Sequence, residues 1–373
     1  MSIELSCTAP ASNALAELPA TSSGAQVWAA LGSAGLLIRC YRGGDVRAGV
    51  DPERIADLLT AVDARFSVAA TLSVSLPLAT TVPVLATGAA EVAQSAVERT
   101  LSGASTVALA VTDENAGTDL TALGTRIDLD AEGAEVSGTK RWIANAVTAE
   151  EILVLARHRP GRHITDFTWV LVPSDADGVT VHPADSTLFA ASGSGHIDFD
   201  RVRVGRERIL GRVGLGLPVF ARHIATERLA SALWGVQLCR RVIARTRDRL
   251  ASRAHGDSTL WHQPAVRQRL ATAIVRAQQL DALCRVHANA VARHHDAAAA
   301  ATLKAAAGDT VGFVLGECAH LWGADGFAAG GLQELRAQAA LFGIGGGSTE
   351  VVLETVAEYA DSALAALAGR SAP

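Results

Sequence analysis

The sequence predicts an α+β protein in three successive parts: a helical part over 1–105, a β part over 106–208 and a helical part over 209–373. Three observations carry this. Helical spacing of apolar residues extends to about Gly103; short runs rich in Val, Ile and Thr, broken by Gly, Asp and Pro clusters, fill the stretch from Thr106 to about Val204; and after Gly216 the 3.6-residue period returns in long stretches rich in Ala and Leu. A chain of 373 residues exceeds a usual single core, so subdomains sharing interfaces are expected.

In the first part, 27–31 leading to Gly35 and 52–59 read as helices, with Pro52 at the start of the second. In the middle part 107–111, 124–129, 152–156 and 167–172 read as strands. Long helices are expected over about 217–254, 264–294 and 297–321, with shorter ones after Gly331 and Ser348. Their length requires packing as a bundle, and the breakers Gly256-Asp257 and His295-Asp296 fit antiparallel neighbours.

With 49% apolar residues, 19% charged residues and a net charge of -5, the chain reads as soluble and globular, and it lacks the basicity that nucleic-acid binding requires. The five cysteines, Cys7, Cys40, Cys239, Cys284 and Cys318, show no C-x-x-C spacing, which fits reduced thiols rather than a metal site. No secretory pattern follows Met1 and no stretch offers eighteen uninterrupted apolar residues, so a cytoplasmic protein without a membrane span is expected. Of 33 lysines and arginines only Lys140 and Lys304 are lysines, a bias to which composition alone assigns no mechanism.

Two segments concentrate functional residue types: Ala110-Val111-Thr112-Asp113-Glu114-Asn115-Ala116-Gly117-Thr118-Asp119, and Gly138-Thr139-Lys140-Arg141-Trp142-Ile143-Ala144-Asn145. They resemble the flavin-binding strand and loop pair of the acyl-CoA dehydrogenase family, which read close to T-E-P-x-A-G-S-D and G-x-K-x-W-I-T-N. The resemblance continues through Phe199-Asp200-Arg201-Val202-Arg203-Val204 and Leu210-Gly211 into the helical C-terminal part, and is weakest over the first hundred residues. It implies an N-terminal helical domain, a β-barrel-like middle domain and a C-terminal four-helix bundle, with FAD as cofactor.

An isoalloxazine ring needs donors along its pyrimidine edge, a flat partner for one face and a dry pocket. By resemblance, Thr112 bonds the pyrimidine side, backbone amides around Asn115, Gly117 and Thr118 donate, Thr118 lies near the thioester or the flavin phosphate, and Trp142 packs against the ring. Taken singly, Trp142 also reads as a core aromatic and the threonines as ordinary strand residues. Ala144 stands where many members carry a threonine facing flavin N5, leaving that contact to backbone. The family's Arg-x-x-Phe-Gly and Gln-x-x-Gly-Gly segments, which grip the neighbouring subunit's dinucleotide, correspond here to Ser252-Arg253-Ala254-His255-Gly256 and His320-Leu321-Trp322-Gly323-Ala324. Arg253, His255, His320 and Gly323 are the matching cofactor candidates, an arginine at a pyrophosphate being a charge-assisted contact.

Abstraction of a proton next to a thioester needs a carboxylate in an apolar pocket. Many members place it in Y-E-G-T near the C-terminus, where this chain has Gly345-Gly346-Gly347-Ser348-Thr349-Glu350, with Gly346 in the glutamate's place. Isovaleryl-CoA dehydrogenase-like members instead carry the base on the long C-terminal helix in a run close to L-E-R-L, matched by Thr226-Glu227-Arg228-Leu229. Glu227 is therefore the candidate base and Arg228 a candidate substrate contact; the same pair also reads as a solvated salt-bridged helix feature. The glycine run Gly343-x-Gly345-Gly346-Gly347, followed by Ser348 at a helix start, suits close backbone approach to the flavin or an anion, with Gly346 and Ser348 as cofactor candidates and Gly345 as a substrate candidate; Glu350 is expected to favour the helix dipole or complete a cap with Gly347 or Ser348.

His158, His182, His196, His223, His287, His294 and His295 read as surface or capping residues without metal spacing. The function implied is FAD-dependent dehydrogenation of an acyl thioester on CoA or a carrier protein, with an electron-transfer flavoprotein or oxygen as acceptor, in a homodimer or homotetramer. A same-fold flavin monooxygenase or N-hydroxylase, and a base-less subunit of a heteromeric acyl-CoA dehydrogenase, are the alternatives.

Overall fold

The computed structural model of the chain describes residues 8–367 apart from Asn115 and Thr118. Two compact units comprise Met1–Glu227 and Arg228–Pro373.

In the first unit, helices α1 (Thr8–Ala14), α2 (Gly24–Ser33), α3 (Pro52–Asp63), α4 (Val68–Leu76), α5 (Val82–Leu85) and α6 (Glu91–Leu101) precede the sheet. Their starts follow from local chemistry. A capping box opens α2, Gln26 Oε1 accepting the Ser23 N–H at 2.9 Å while Ser23 Oγ accepts the Gln26 N–H. Asp51 accepts the Glu53 and Arg54 N–H groups at 3.0 and 3.2 Å, and Pro52 supplies the first turn of α3. Between α4 and α5 the chain widens into a π-helical turn, Pro77–Thr81. The Val82 N–H reaches back to the Pro77 carbonyl and Pro83 has no N–H. The Leu78 carbonyl, deprived of helical donors, accepts the Tyr41 hydroxyl at 2.8 Å.

The mixed sheet comprises β1 (Val107–Ala110), β2 (Arg126–Leu129), β3 (Gly133–Ile143), β4 (Glu151–Arg157), β5 (Phe167–Pro173), β6 (Val179–Pro183), β7 (Gly195–Gly205) and β8 (Ile209–Leu210), ordered β6-β7-β3-β2-β4-β5-β8 with β1 parallel to β4. Strands β4 and β5 pair antiparallel, Leu153 opposite Leu171 and Val154 opposite Val170. Successive residues serve two cores. Ile152, Val154, Val170 and Val172 join Val136, Ile197 and Val202 on one face, whereas Leu153, Leu155, Trp169 and Leu171 join Val84, Leu85, Ala93 and Ala96 of the helices on the other. Burial on both faces is why these strands read as unbroken apolar runs. Strands β3 and β6, and β7 apart from the Phe199–Val204 segment marked by the resemblance, lie outside the runs expected from sequence, because polar residues interrupt them, and β6 is a partly exposed edge.

Helix α7 (Gly216–Ser252) contains the boundary between the units. In the second unit a short ribbon, β9 (Ala254–His255) with β10 (Ser258–Thr259), turns at Gly256 where only a breaker was expected. Helices α8 (Pro264–His294) and α9 (Ala297–Trp322) follow, then α10 (Leu332–Ala339), α11 (Leu341–Ile344), α12 (Thr349–Glu358) and α13 (Ala360–Leu367). The expected break lies at His295, a left-handed C-cap with φ 52°, and Asp296, whose Oδ1 accepts the Ala299 N–H at 3.0 Å. Gly308 lets α9 approach its neighbours closely: a Cβ there would lie 2.9 Å from Thr349 Oγ1 and 3.1 Å from Gly343 Cα.

No eighteen-residue stretch lacks polar residues, yet helical windows within Val68–Leu85 and Ala297–Phe327 reach the length and mean hydropathy of a membrane span; they are 89% and 56% buried inside the protein. Cys40, Cys239, Cys284 and Cys318 are buried thiols outside any disulfide, and Cys7 lies outside the described residues.

Candidate functional site

The segment after β1 is held from beneath by a buried ion pair. Lys140 is 0% exposed, and its Nζ donates to Asp113 Oδ1 at 2.6 Å, Val111 O at 2.7 Å and Leu155 O at 2.8 Å. Three acceptors saturate an ammonium group. Asp113, also buried, accepts in addition from the Thr125 N–H at 2.8 Å and the Thr125 hydroxyl at 2.9 Å. Burial pushes the Lys140 pKa down to about 8, and Asp113 works against that fall. The Asp113 N–H donates to Ala116 O at 3.0 Å and the Arg141 N–H to Thr112 O at 2.9 Å, so backbone bonds fasten the turn to itself and to β3. Sequence reading passed over this pair because it exists only once β3 lies under the loop.

Above the pair the chain leaves β3 through two left-handed residues, Trp142 (φ 58°) and Asn145 (φ 64°). Asparagine adopts this region readily; tryptophan does so at a cost of about 1–2 kcal/mol. Asn145 is buried and anchored, its Nδ2 donating to Ser73 O at 3.2 Å and its N–H to Ser192 O at 3.0 Å. Trp142, by contrast, is 59% exposed, which removes the core-aromatic reading. Its backbone N–H donates to His196 Nδ1 at 3.1 Å, and the two rings meet edge to face at 5.2 Å. His196, set aside on sequence as a surface or capping histidine, thus supports this indole from β7.

Thr112 is half-buried beside Gly117, where a Cβ would sit 3.3 Å from Thr112 Cγ2. Ala144 is buried and adds no polar side-chain atom. Thr118 lies outside the described residues. An uncovered indole on a strained backbone, with a threonine beside a glycine, fits a flat ring system with a polar edge.

Glu227, half-buried on α7, accepts the Thr80 hydroxyl on Oε2 at 2.9 Å; Thr80 is 0% exposed. It is therefore bound to protein as well as placed next to Arg228. In the second unit Arg228 Nε donates to Gly346 O at 3.1 Å, and the wholly buried Lys304 donates to Phe342 O. Arg228 thus grips a carbonyl of the glycine turn that lacks a carboxylate, and Lys304 grips a carbonyl of α11 just before that turn. Gly346 and Gly347 take φ of 72° and 101°, and a Cβ on Gly347 would lie 3.1 Å from Val352 Cγ2 and 3.4 Å from Arg228 Nη2. The Gly345 N–H closes on Leu341 O at 2.7 Å. Ser348 is the N-cap of α12 but its side chain makes no capping bond, so the expected cap with Glu350 does not form; Glu350 lies in the first turn, where the dipole favours it.

Arg253 is exposed, and its Nη1 lies 3.3 Å from Asp325 Oδ2, a carboxylate it shares with Arg249. Arg249 also donates to Trp322 O at 3.2 Å and lies over the Trp322 ring. His255 and His320 are exposed, and Gly323 adopts φ 59° with open space at its Cβ position. An anion at Arg253 must compete with Asp325, which sequence reading did not single out. Among the described residues no cluster of His, Cys, Asp and Glu could hold a metal ion.

Comparison with known proteins bears on these residues. The family model for the acyl-CoA dehydrogenase middle domain matches residues 108–202, and that for the acyl-CoA dehydrogenase C-terminal domain matches residues 214–360. The chain is 28% identical over 270 residues to the acyl-[acyl-carrier-protein] dehydrogenase MbtN of Mycobacterium sp. (strain MCS), covering 70% of this chain and 67% of that protein. Butyryl-CoA dehydrogenase from Megasphaera elsdenii superposes with a TM-score of 0.86 at 17% identity, over 96% of this chain and 100% of that one. An FAD complex of PigA superposes with a TM-score of 0.82 at 17% identity, over 95% and 93%.

Proposed function

The chain belongs to the acyl-CoA dehydrogenase family, and from that premise we propose that it is an FAD-dependent dehydrogenase of acyl thioesters whose base is Glu227. One observation carries the assignment of the base: Glu227 is half-buried and bonded by a wholly buried threonine, whereas the glycine turn that bears the carboxylate in many relatives has none. Names of relatives support a thioester on either CoA or a carrier protein.

Thr112, Gly117, the backbone at Ala144 and the exposed Trp142 face would hold the isoalloxazine. Bound FAD supplies a two-electron acceptor for a hydride from the substrate β-carbon. The α-proton passes to the Glu227 carboxylate, and the electrons of the C–H bond it leaves form the α,β double bond. Trp142, held by His196, would cover one face of the bound ring system. The Lys140–Asp113 pair holds the Thr112 loop so that its donors are already in place.

The test is the absorbance spectrum of the purified protein, followed by anaerobic bleaching with a panel of acyl-CoA and acyl-carrier-protein thioesters. Bleaching by a saturated thioester, lost in Glu227→Gln by at least about 1000-fold, is expected. Full bleaching by that variant overturns the assignment of the base.

A further inference from the structure

We propose that Thr80 is the positioning residue for Glu227, presented to it by the π-helical turn; this rests on the reading that Glu227 is the base. The first support is where the Thr80 proton goes. Threonines inside helices usually donate to the carbonyl four residues back, as Thr60, Thr71, Thr272 and Thr302 do here, to Ala56, Ser67, Gln268 and Ala298. Thr80 sends its proton 147 residues along the chain, to Glu227 Oε2 at 2.9 Å.

The second support is the turn itself. Pro77–Thr81 is π-helical, which widens the backbone by one residue and re-aims the side chains on it. Pro83 removes one N–H from the helix that follows, and the Leu78 carbonyl this leaves over is taken up by Tyr41. Burial, and after it the neighbouring Cys40, raises the Tyr41 pKa well above its ordinary value, so the phenol stays a donor. Every residue from Pro77 to Thr81 is buried. The irregular turn is therefore built into the core, and the threonine it re-aims ends on the one carboxylate assigned to the chemistry. A donor on one oxygen fixes the direction of the carboxylate, which a proton transfer requires.

The experiment compares Thr80→Val, Thr80→Ser and Glu227→Gln in the full-length, flavin-loaded enzyme, reading kcat, KM and the isotope effect of α-deuterated substrate. Thr80→Val is expected to lower kcat about 10- to 100-fold, the range for losing a hydrogen bond to a charged group. KM should stay within about two-fold and the isotope effect should rise, while Thr80→Ser, which keeps the hydroxyl, should recover kcat to within about three-fold. Thr80→Ala replaces the valine variant if that one does not fold. A donor-less variant with wild-type kcat, or a serine variant as slow as the donor-less one, overturns the inference. Glu227→Gln separates the two levels: if it keeps full rate, the base assignment falls; if it is inactive while Thr80→Val is normal, only the role of Thr80 falls.

Discussion

Lys140→Met is the sharpest test of how the cofactor loop is held. The variant keeps most of the side-chain volume and removes the charge, leaving Asp113 buried with only neutral donors and withdrawing a donor from the Val111 and Leu155 carbonyls. Breaking a buried pair from one side costs about 3–5 kcal/mol, a large share of the 5–15 kcal/mol that holds a typical domain. The effect depends on pH with a definite sign. The folded chain gives up the Lys140 proton near pH 8, the unfolded chain near the ordinary lysine value of 10.5. Between those values the unfolded state binds more protons, so the contribution of this group to stability rises with pH, by about 3 kcal/mol across the window. Urea unfolding at a series of pH values between 7 and 10.5 measures both quantities. A variant within about 1 kcal/mol of wild type at pH 7, or one with the wild-type slope above pH 8, refutes the reasoning.

Two further outcomes follow from the same geometry. His196→Ala removes both the acceptor of the Trp142 N–H and the ring edge against the indole, and is expected to weaken FAD binding to the apoprotein about 5- to 10-fold, measured by fluorescence titration, with little change in melting temperature. Gly347→Ala forces a side chain into a φ of 101° with a Cβ 3.1 Å from Val352, and should cost about 1–3 kcal/mol in thermal or urea unfolding.

Helix ends were legible because they are decided locally. Asp51 with Pro52 starts α3, and the His295-Asp296 break falls where the structure ends one long helix and starts the next. The buried strands β4 and β5 were legible as apolar runs because both of their faces are buried. What was not legible depends on contacts distant in sequence. Thr80 reads as one more small residue in an apolar helix until Glu227, 147 residues later, accepts its proton. His196 gains meaning only when β7 pairs with β3 and delivers it to Trp142. The motif marked Thr112 and Trp142 through their residue types, but it did not disclose that the loop between them is fastened by Lys140 and Asp113.

The scarcity of lysine has a physical reading once burial is known. Both lysines of the chain are wholly buried, whereas no arginine among the described residues is. An ammonium is compact, and its three protons can all be met by a few oxygens: at Lys140 by two carbonyls and a carboxylate. A guanidinium spreads five donors over a plane and needs more room and more acceptors to be buried without loss. Arginine therefore serves the surface pairs, such as those on Asp325 and Glu317. Lysine is found at the two places where a cation is wholly buried against backbone carbonyls: the loop that follows β1, and helix α11, gripped at Phe342 just before the glycine turn. The loop that follows β1 and the helix that leads into the glycine turn are thus each anchored by the one basic side chain compact enough to be buried whole.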